Sequence, residues 1–267
     1  MHFHPLDVYR PGDSLVHRLD PRTKLALTFL FLLTVALIPD RAWLSFGLLE
    51  AWLLAIIGIS RVGFRAVQRR SALALSFLLP ALTLLLVRSG DGGGRVLHLP
   101  GIPWPVYEAG LWRFLSIVAR SYLSIQAAVL LSTTTPFPDL LWAMRALKAP
   151  RLLVAISGFL YRYLFVLADE ARRMLQAREA RSGALEGHRS GGSVIWRAKV
   201  TGAMAGTLFL RAYERSERIW TAMVARGYDG EMRTLSIHAL RAMDWRVEIG
   251  GGLTLLLILI VARALSR

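Results

Sequence analysis

Cysteine is missing from all 267 residues, which excludes disulfides and thiolate metal sites. Also missing are a Gly-x-x-x-x-Gly-Lys-Ser/Thr phosphate loop, a His-Glu-x-x-His pair and a Gly-x-Ser-x-Gly elbow. The chain is therefore expected to hydrolyse no ATP, to be no enzyme and to need no cofactor. Histidine is scarce at 6 residues. His2 and His4 form a terminal pair without a third ligand, and His17, His98, His188 and His238 are scattered. No expected span contains a histidine, so a metal path through this chain alone has little support. Acid is scarce too: 18 Asp and Glu stand against 33 Lys and Arg, a formal charge of +15. The first 23 residues lack the apolar run of a cleaved signal, so insertion is expected to depend on the first hydrophobic segment.

What the chain does have is apolar sequence. Hydrophobic residues make up 54%, in long runs that a soluble domain with so large a basic excess would not carry. The expected class is an all-α polytopic membrane protein. Residues 1–133 read as a membrane domain with spans at about 24–39, 42–60, 71–87 and 111–133. The first is short for a bilayer that needs about 20 residues, so Lys24 and Arg41 are expected to snorkel at its ends. The second carries Glu50, with Trp43 and Trp52 as interfacial anchors. A basic turn follows at 61–70, and Pro80 should kink the third span. Glycines and prolines make 88–108 a loop or small hairpin. A final transmembrane helix occupies 245–267, with Gly250 to Gly252 where a neighbour could approach closely.

Arg120 falls well inside the fourth span, where a charge costs roughly 2.5 to 3.5 kcal/mol on insertion scales. It should face the protein interior or a partner, pairing with carbonyls or with an acid such as Glu50. Thr133, Thr134 and Thr135 are expected to satisfy helix-end carbonyls or to cap the next helix.

Segments 1–24, 61–70 and 134–246 hold 4, 4 and 18 of the 33 Lys and Arg. The positive-inside rule then puts the N-terminus and the block 134–244 in the cytoplasm of a multi-pass cell-membrane protein. In that block, apolar spacing predicts a short helix between Pro136 and Pro150, then two long ones, 151–182 and 193–226, around a polar linker at 186–192. The first half of the 151–182 helix is apolar enough either to lie in the membrane interface or to pack under the spans. The two long helices read as a crossed or antiparallel pair. Gly202 and Gly206 have small-xxx-small spacing on the second.

Each long helix ends in a tripeptide of one type: Ala180-Arg181-Ser182, followed by Gly183, and Ala225-Arg226-Gly227. Glycine just past a helix end accepts positive φ without a Cβ penalty. Each arginine should stand at a helix tip, where it neutralises the negative end of its own helix and keeps its fork available. Two readings stay open: solvated charge or anionic-lipid contact, and docking of both tips on equivalent sites of a two-fold partner.

Four stretches together carry a family resemblance: Ser14-Leu15-Val16-His17-Arg18-Leu19-Asp20-Pro21-Arg22-Thr23-Lys24; Ser132-Thr133-Thr134-Thr135-Pro136-Phe137; Tyr161-Arg162-Tyr163 with Asp169-Glu170; and Met223-Val224-Ala225-Arg226-Gly227-Tyr228-Asp229-Gly230. In this order they resemble the transmembrane T component of energy-coupling-factor transporters, in its cobalt-transport branch. The resemblance implies a non-catalytic scaffold joining two cytoplasmic ATP-binding subunits to a substrate-binding membrane subunit in the lipid bilayer. It implies that 134–244 is a coupling-helix module whose two Ala-Arg-Gly-type motifs seat in ATPase grooves. Matched here, these are Ala180, Arg181 and Ser182, with Ser in place of the usual Gly, and Ala225, Arg226 and Gly227. Ala177-Arg178-Glu179 competes for the first. Nickel or a vitamin is the alternative cargo. A membrane enzyme acting on anionic lipid headgroups lacks paired acids or a metal cluster, and a nucleic-acid binder is opposed by the spans.

Overall fold

The computed structural model describes residues 9–74, 83, 96–97, 106–181, 193–230 and 239–265. Among these are nine helices: α1 (Leu15–Arg18), α2 (Pro21–Leu37), α3 (Trp43–Ser60), α4 (Phe64–Ala74), α5 (Glu108–Thr134), α6 (Phe137–Ala146), α7 (Arg151–Arg181), α8 (Val194–Ala225) and α9 (Ala242–Leu265). Two short strands, β1 (Val96–Leu97) and β2 (Val106–Tyr107), pair antiparallel, in line with the hairpin expected at 88–108. The fold is all-α and polytopic. By length and composition, α3, α5 from Gly110, α7, and α9 as far as Ala264 are long and apolar enough to cross a membrane. Most of the expected third span, all of the 186–192 linker, and His2, His4, His98, His188 and His238 lie outside the described residues.

The chain divides into two compact units, one comprising residues 5–147 and 236–267 and the other centred on 148–235. The first unit runs to 147, with α6 packed on α2.

In the membrane unit, α2 packs on α5, α6 and α9, and α3 packs on α5 and α9. Phe31 and Val35 of α2, Leu49, Leu53 and Ile57 of α3, Leu123 and Ala127 of α5 and Leu255 of α9 form one apolar core. A Cβ added at Gly251 would stand 2.9 Å from Leu27 Cδ2, so the absent side chain lets α9 approach α2 closely. Gly252 makes the looser approach, to Leu30, whereas Gly250 faces open space.

Three local expectations change. The basic stretch 61–70 is a turn only as far as Gly63, whose φ is +96°, because Arg65, Arg69 and Arg70 already belong to α4. Trp52 stacks on Phe31 at 5.6 Å and so serves the core; Trp43 stays part-exposed and packs on Trp112 at 5.8 Å. Lys24 does not snorkel but is buried.

Candidate coupling ends and a buried polar latch

The unit centred on 148–235 is a hairpin of two long helices. Ser193 caps α8 by accepting a hydrogen bond from the Trp196 backbone N–H at 3.2 Å. The two helices meet at a few points. Phe159 packs against Tyr228 with ring centroids 6.4 Å apart, Glu170 pairs with Arg211 at 2.6 Å, and Arg178 Nη1 donates to Thr201 Oγ1 at 3.3 Å. As the α7 partner number rises, the α8 number falls, so the pair is antiparallel. Between these points a cavity of about 380 Å³ is lined by Tyr163, Leu167, Ile219, Trp220 and Met223, among others.

The expected C-terminal stop is present on α8. Tyr228 N–H donates to Met223 C=O at 3.0 Å and Gly227 N–H to Val224 C=O at 2.9 Å, with Gly227 at φ +76°. This is a Schellman motif, with Arg226 as its C-cap residue. Tyr228 packs on Trp220 at 6.4 Å and fixes the turn. Ala225, Arg226 and Gly227 are all exposed. Ala180 and Arg181 are the last residues of α7 and are exposed, while Ser182 lies outside the described residues. Arg178 of the competing tripeptide is half-buried and held by Thr201.

Because the helices are antiparallel, their C-terminal ends stand apart. The Arg226 turn lies beside Phe159, roughly 22 residues or 33 Å along α7 from Arg181, at a helical rise of 1.5 Å per residue. The hairpin also leaves apolar side chains uncovered. Leu152, Ile156, Leu160 and Leu164 recur every four residues on α7, with Leu152 70% exposed; on α8, Phe209, Leu210, Tyr213 and Trp220 are exposed. Contiguous apolar surface of this kind marks a site for membrane or protein contact.

The membrane unit contains a different constellation, assembled from two of the quoted sequence stretches. Asp20 caps α2, its Oδ1 accepting from Arg22 N–H at 2.8 Å. Lys24 Nζ donates to the His17 carbonyl at 3.2 Å and to the Thr134 carbonyl at 3.1 Å. Arg10 N–H donates to the Thr133 carbonyl at 3.0 Å. Asp244, in the first turn of α9, accepts from Asp20 N–H at 3.0 Å and from Arg241 N–H at 2.8 Å. Asp20, Lys24, Thr133, Thr134 and Asp244 are all buried. The Arg22 guanidinium lies 4.1 Å from the centre of the Trp142 ring. Together these bonds tie the segment before α2 to the end of α5, to α6 and to the start of α9. Thr133 and Thr134 hydroxyls bond back to carbonyls one turn earlier, and Pro136 rather than a threonine side chain starts α6.

His17 closes the latch. Its Nε2–H donates to the Arg10 carbonyl at 3.1 Å, and its Nδ1 accepts from the Ser14 hydroxyl at 2.7 Å. Burial pushes the imidazole below its ordinary pKa. Reasoning from sequence missed Asp244; its signal was an acid three residues after Arg241 at the head of an apolar run.

Arg120 does not pair with Glu50. Its Nη2 donates to Asp40 Oδ1 at 2.8 Å and to the Ile38 carbonyl, both in the turn between α2 and α3. That turn, rather than the middle of the span, is where the charge is spent. Glu50 Oε1 instead accepts from Gln126 Nε2 at 3.0 Å.

Fold and surface define a class: a multi-pass membrane protein whose long-helix hairpin ends in exposed arginines. Residues 12–235 match the family described as cobalt transport protein, CbiQ, and the chain belongs to that family. It is similar to the energy-coupling factor transporter transmembrane protein EcfT of Bacillus subtilis (strain 168), 31% identical over 233 residues and 83% of each chain. It is also similar to EcfT of Lacticaseibacillus paracasei, 31% identical over 268 residues, 96% of this chain and 97% of that one. A third relative is the cobalt transport protein CbiQ of Rhodobacter capsulatus, 32% identical over 178 residues and 66% of each chain. The chain is thus a transmembrane component of the energy-coupling-factor transporter type.

Proposed function

We propose that this chain is the non-catalytic scaffold of an ATP-driven importer for cobalt ions. On this reading it couples closure of two cytoplasmic ATP-binding subunits to a substrate-binding membrane subunit. The observation that carries it is the pair of exposed arginine ends, Arg181 and Arg226, held at opposite ends of one antiparallel hairpin. A spacing of tens of ångströms suits one tip per ATP-binding subunit, and each tip moves with the groove that holds it. Arg181 rather than Arg178 is the first contact, because Arg178 is already engaged with Thr201. The uncovered apolar faces of α7 and α8 then pass the motion to the substrate-binding subunit. This requires the hairpin and the N-terminus to be cytoplasmic, as the distribution of Lys and Arg favours.

Cobalt is supported by the family description and by the relative from Rhodobacter capsulatus. Nickel or a vitamin is the second reading, since relatives named only as energy-coupling-factor components are as similar as the cobalt one. Co-expression with the ATP-binding subunits tests the coupling: Arg226→Glu should abolish their co-purification and Arg181→Glu weaken it. Recovery of the intact complex from the double variant at wild-type yield would refute the reading. Uptake of radioactive cobalt, nickel and vitamins by vesicles holding the whole complex decides the cargo.

A further inference from the structure

The latch and the coupling ends leave unused a cavity of about 360 Å³ inside the membrane unit. Its size falls in the range of roughly 300 to 1,000 Å³ that small-ligand sites occupy. Along its wall α2 runs from Lys24 to Phe31, α5 runs the opposite way from Ala127 to Thr134, and α9 runs from Met243 to Gly251. At a helical rise of about 1.5 Å per residue, that makes a slot roughly 10 Å long and parallel to the helices. Its two ends differ. At the Lys24 end, Leu15 of α1, Ile59 near the end of α3 and Met243 at the start of α9 are about half exposed; at the far end Phe31 and Leu53 are each 1% exposed. The slot is therefore open where the spans end and closed deeper among them.

Charge is confined to the open end. Among the described residues Lys24 is the one charged member of the wall. An ammonium carries three donors. Lys24 Nζ gives one to the His17 carbonyl and one to the Thr134 carbonyl, which leaves one N–H without a partner among the described residues. The threonine hydroxyls of the wall are committed, Thr28 to the Lys24 carbonyl and Thr134 to the Leu130 carbonyl, each at 2.8 Å. Lys24 also lines a neighbouring polar cavity, together with Arg18; the acids Asp20, Asp139 and Asp244 line that second cavity and not the slot. An apolar slot with a cation at its mouth has the chemistry to take an amphiphile with an anionic head and one long chain.

We propose that the slot holds one acyl chain of an anionic phospholipid from the surrounding bilayer, whose phosphate takes the spare N–H of Lys24. Arg18, exposed on α1, adds to the positive field at that end. The other occupants fit less well. A water in the slot would find a single free donor, and a buried water needs two to four polar partners. A side chain of a partner protein would fill the apolar depth but leave the Lys24 donor unmet unless it were also acidic. The bilayer is the one partner that a multi-pass chain always has beside the ends of its spans.

The test uses the full chain in dodecyl maltoside micelles, titrated with phosphatidylglycerol or phosphatidylcholine brominated on the acyl chains. Trp52 lines the slot, so the quenching that Trp52→Phe removes reports a chain inside it. That component should be half-quenched by roughly fivefold less phosphatidylglycerol than phosphatidylcholine. Lys24→Met should abolish the preference between headgroups. Because Lys24 also serves the latch, Thr28→Phe is the second arm: it fills the slot from a part-exposed position without touching a latch bond, and should protect Trp52 from both lipids. Equal half-quenching of the wild-type protein by the two lipids, or wild-type quenching of Thr28→Phe, overturns the proposal. Stronger quenching by brominated oleic acid than by phosphatidylglycerol also overturns it, by making a free fatty acid the occupant.

Discussion

Leu49, Leu53 and Leu255 of the membrane unit are all but wholly buried, whereas Leu152, Leu160 and Phe209 of the α7–α8 hairpin are each about 70% exposed. The polar groups divide in the same way. Lys24, Asp20 and Asp244 are buried and bonded within their own unit; Arg181 and Arg226 stand in the open. Burial of apolar area and satisfaction of polar groups stabilise the first unit from within. The hairpin, bonded across at Glu170–Arg211 and Arg178–Thr201, leaves its apolar stripes and its arginine tips uncommitted, as a part does whose partners are other proteins or the membrane. Four changes probe this contrast.

The largest effect should follow Asp244→Ala, which strands the buried Asp20 backbone N–H, takes the acceptor from the part-buried Arg241 N–H and unties the latch. A loss of about 3 kcal/mol is expected, read as a lower thermal midpoint of tryptophan fluorescence in detergent. An unchanged midpoint would mean that the latch does not hold the membrane unit. Gly251→Leu comes next, at about 2 kcal/mol, because its side chain must displace Leu27. The same substitution at Gly206, with no atom within 4 Å of an added Cβ, should leave the midpoint where it is. Gly227→Ala should cost about 1 kcal/mol through its φ of +76° alone. Hydrogen exchange should report this as fraying of the last turn of α8, with the membrane unit unaffected.

The smallest effect concerns pH. The folded state holds His17 below its ordinary pKa, chiefly by burial, so it prefers the neutral ring. The stability this supplies is present above the unfolded value near 6.5 and is lost as pH falls through it. The midpoint of the wild-type protein should therefore drop slightly more between pH 7 and 5.5 than that of His17→Asn.

Much of this contrast was legible in the sequence. Apolar runs and proline and glycine punctuation place α3, α7 and α8 almost to the residue and α5 and α6 less closely, because those signals are local. The stop at Gly227 followed from backbone sterics alone. What the sequence did not disclose was pairing across distance. Lys24 looks like an interfacial lysine until α5 brings the Thr134 carbonyl to it, and the partner of Arg120 is Asp40, on a turn 80 residues earlier. Asp244 and Asp20 are joined across 224 positions, beyond the reach of any spacing rule. The 61–70 stretch misled because its arginines mask a helix start.

The central claim is that one hairpin grips two ATP-binding subunits, one at each end. Since the chain has no cysteine of its own, single cysteines at Arg181 and Arg226 can be crosslinked to the assembled transporter without background. The account predicts that each position forms an adduct with an ATP-binding subunit, and that the double variant carries two such subunits per chain. Adducts at neither position, or labelling of both cysteines by an impermeant reagent from the outer face of intact cells, would contradict it.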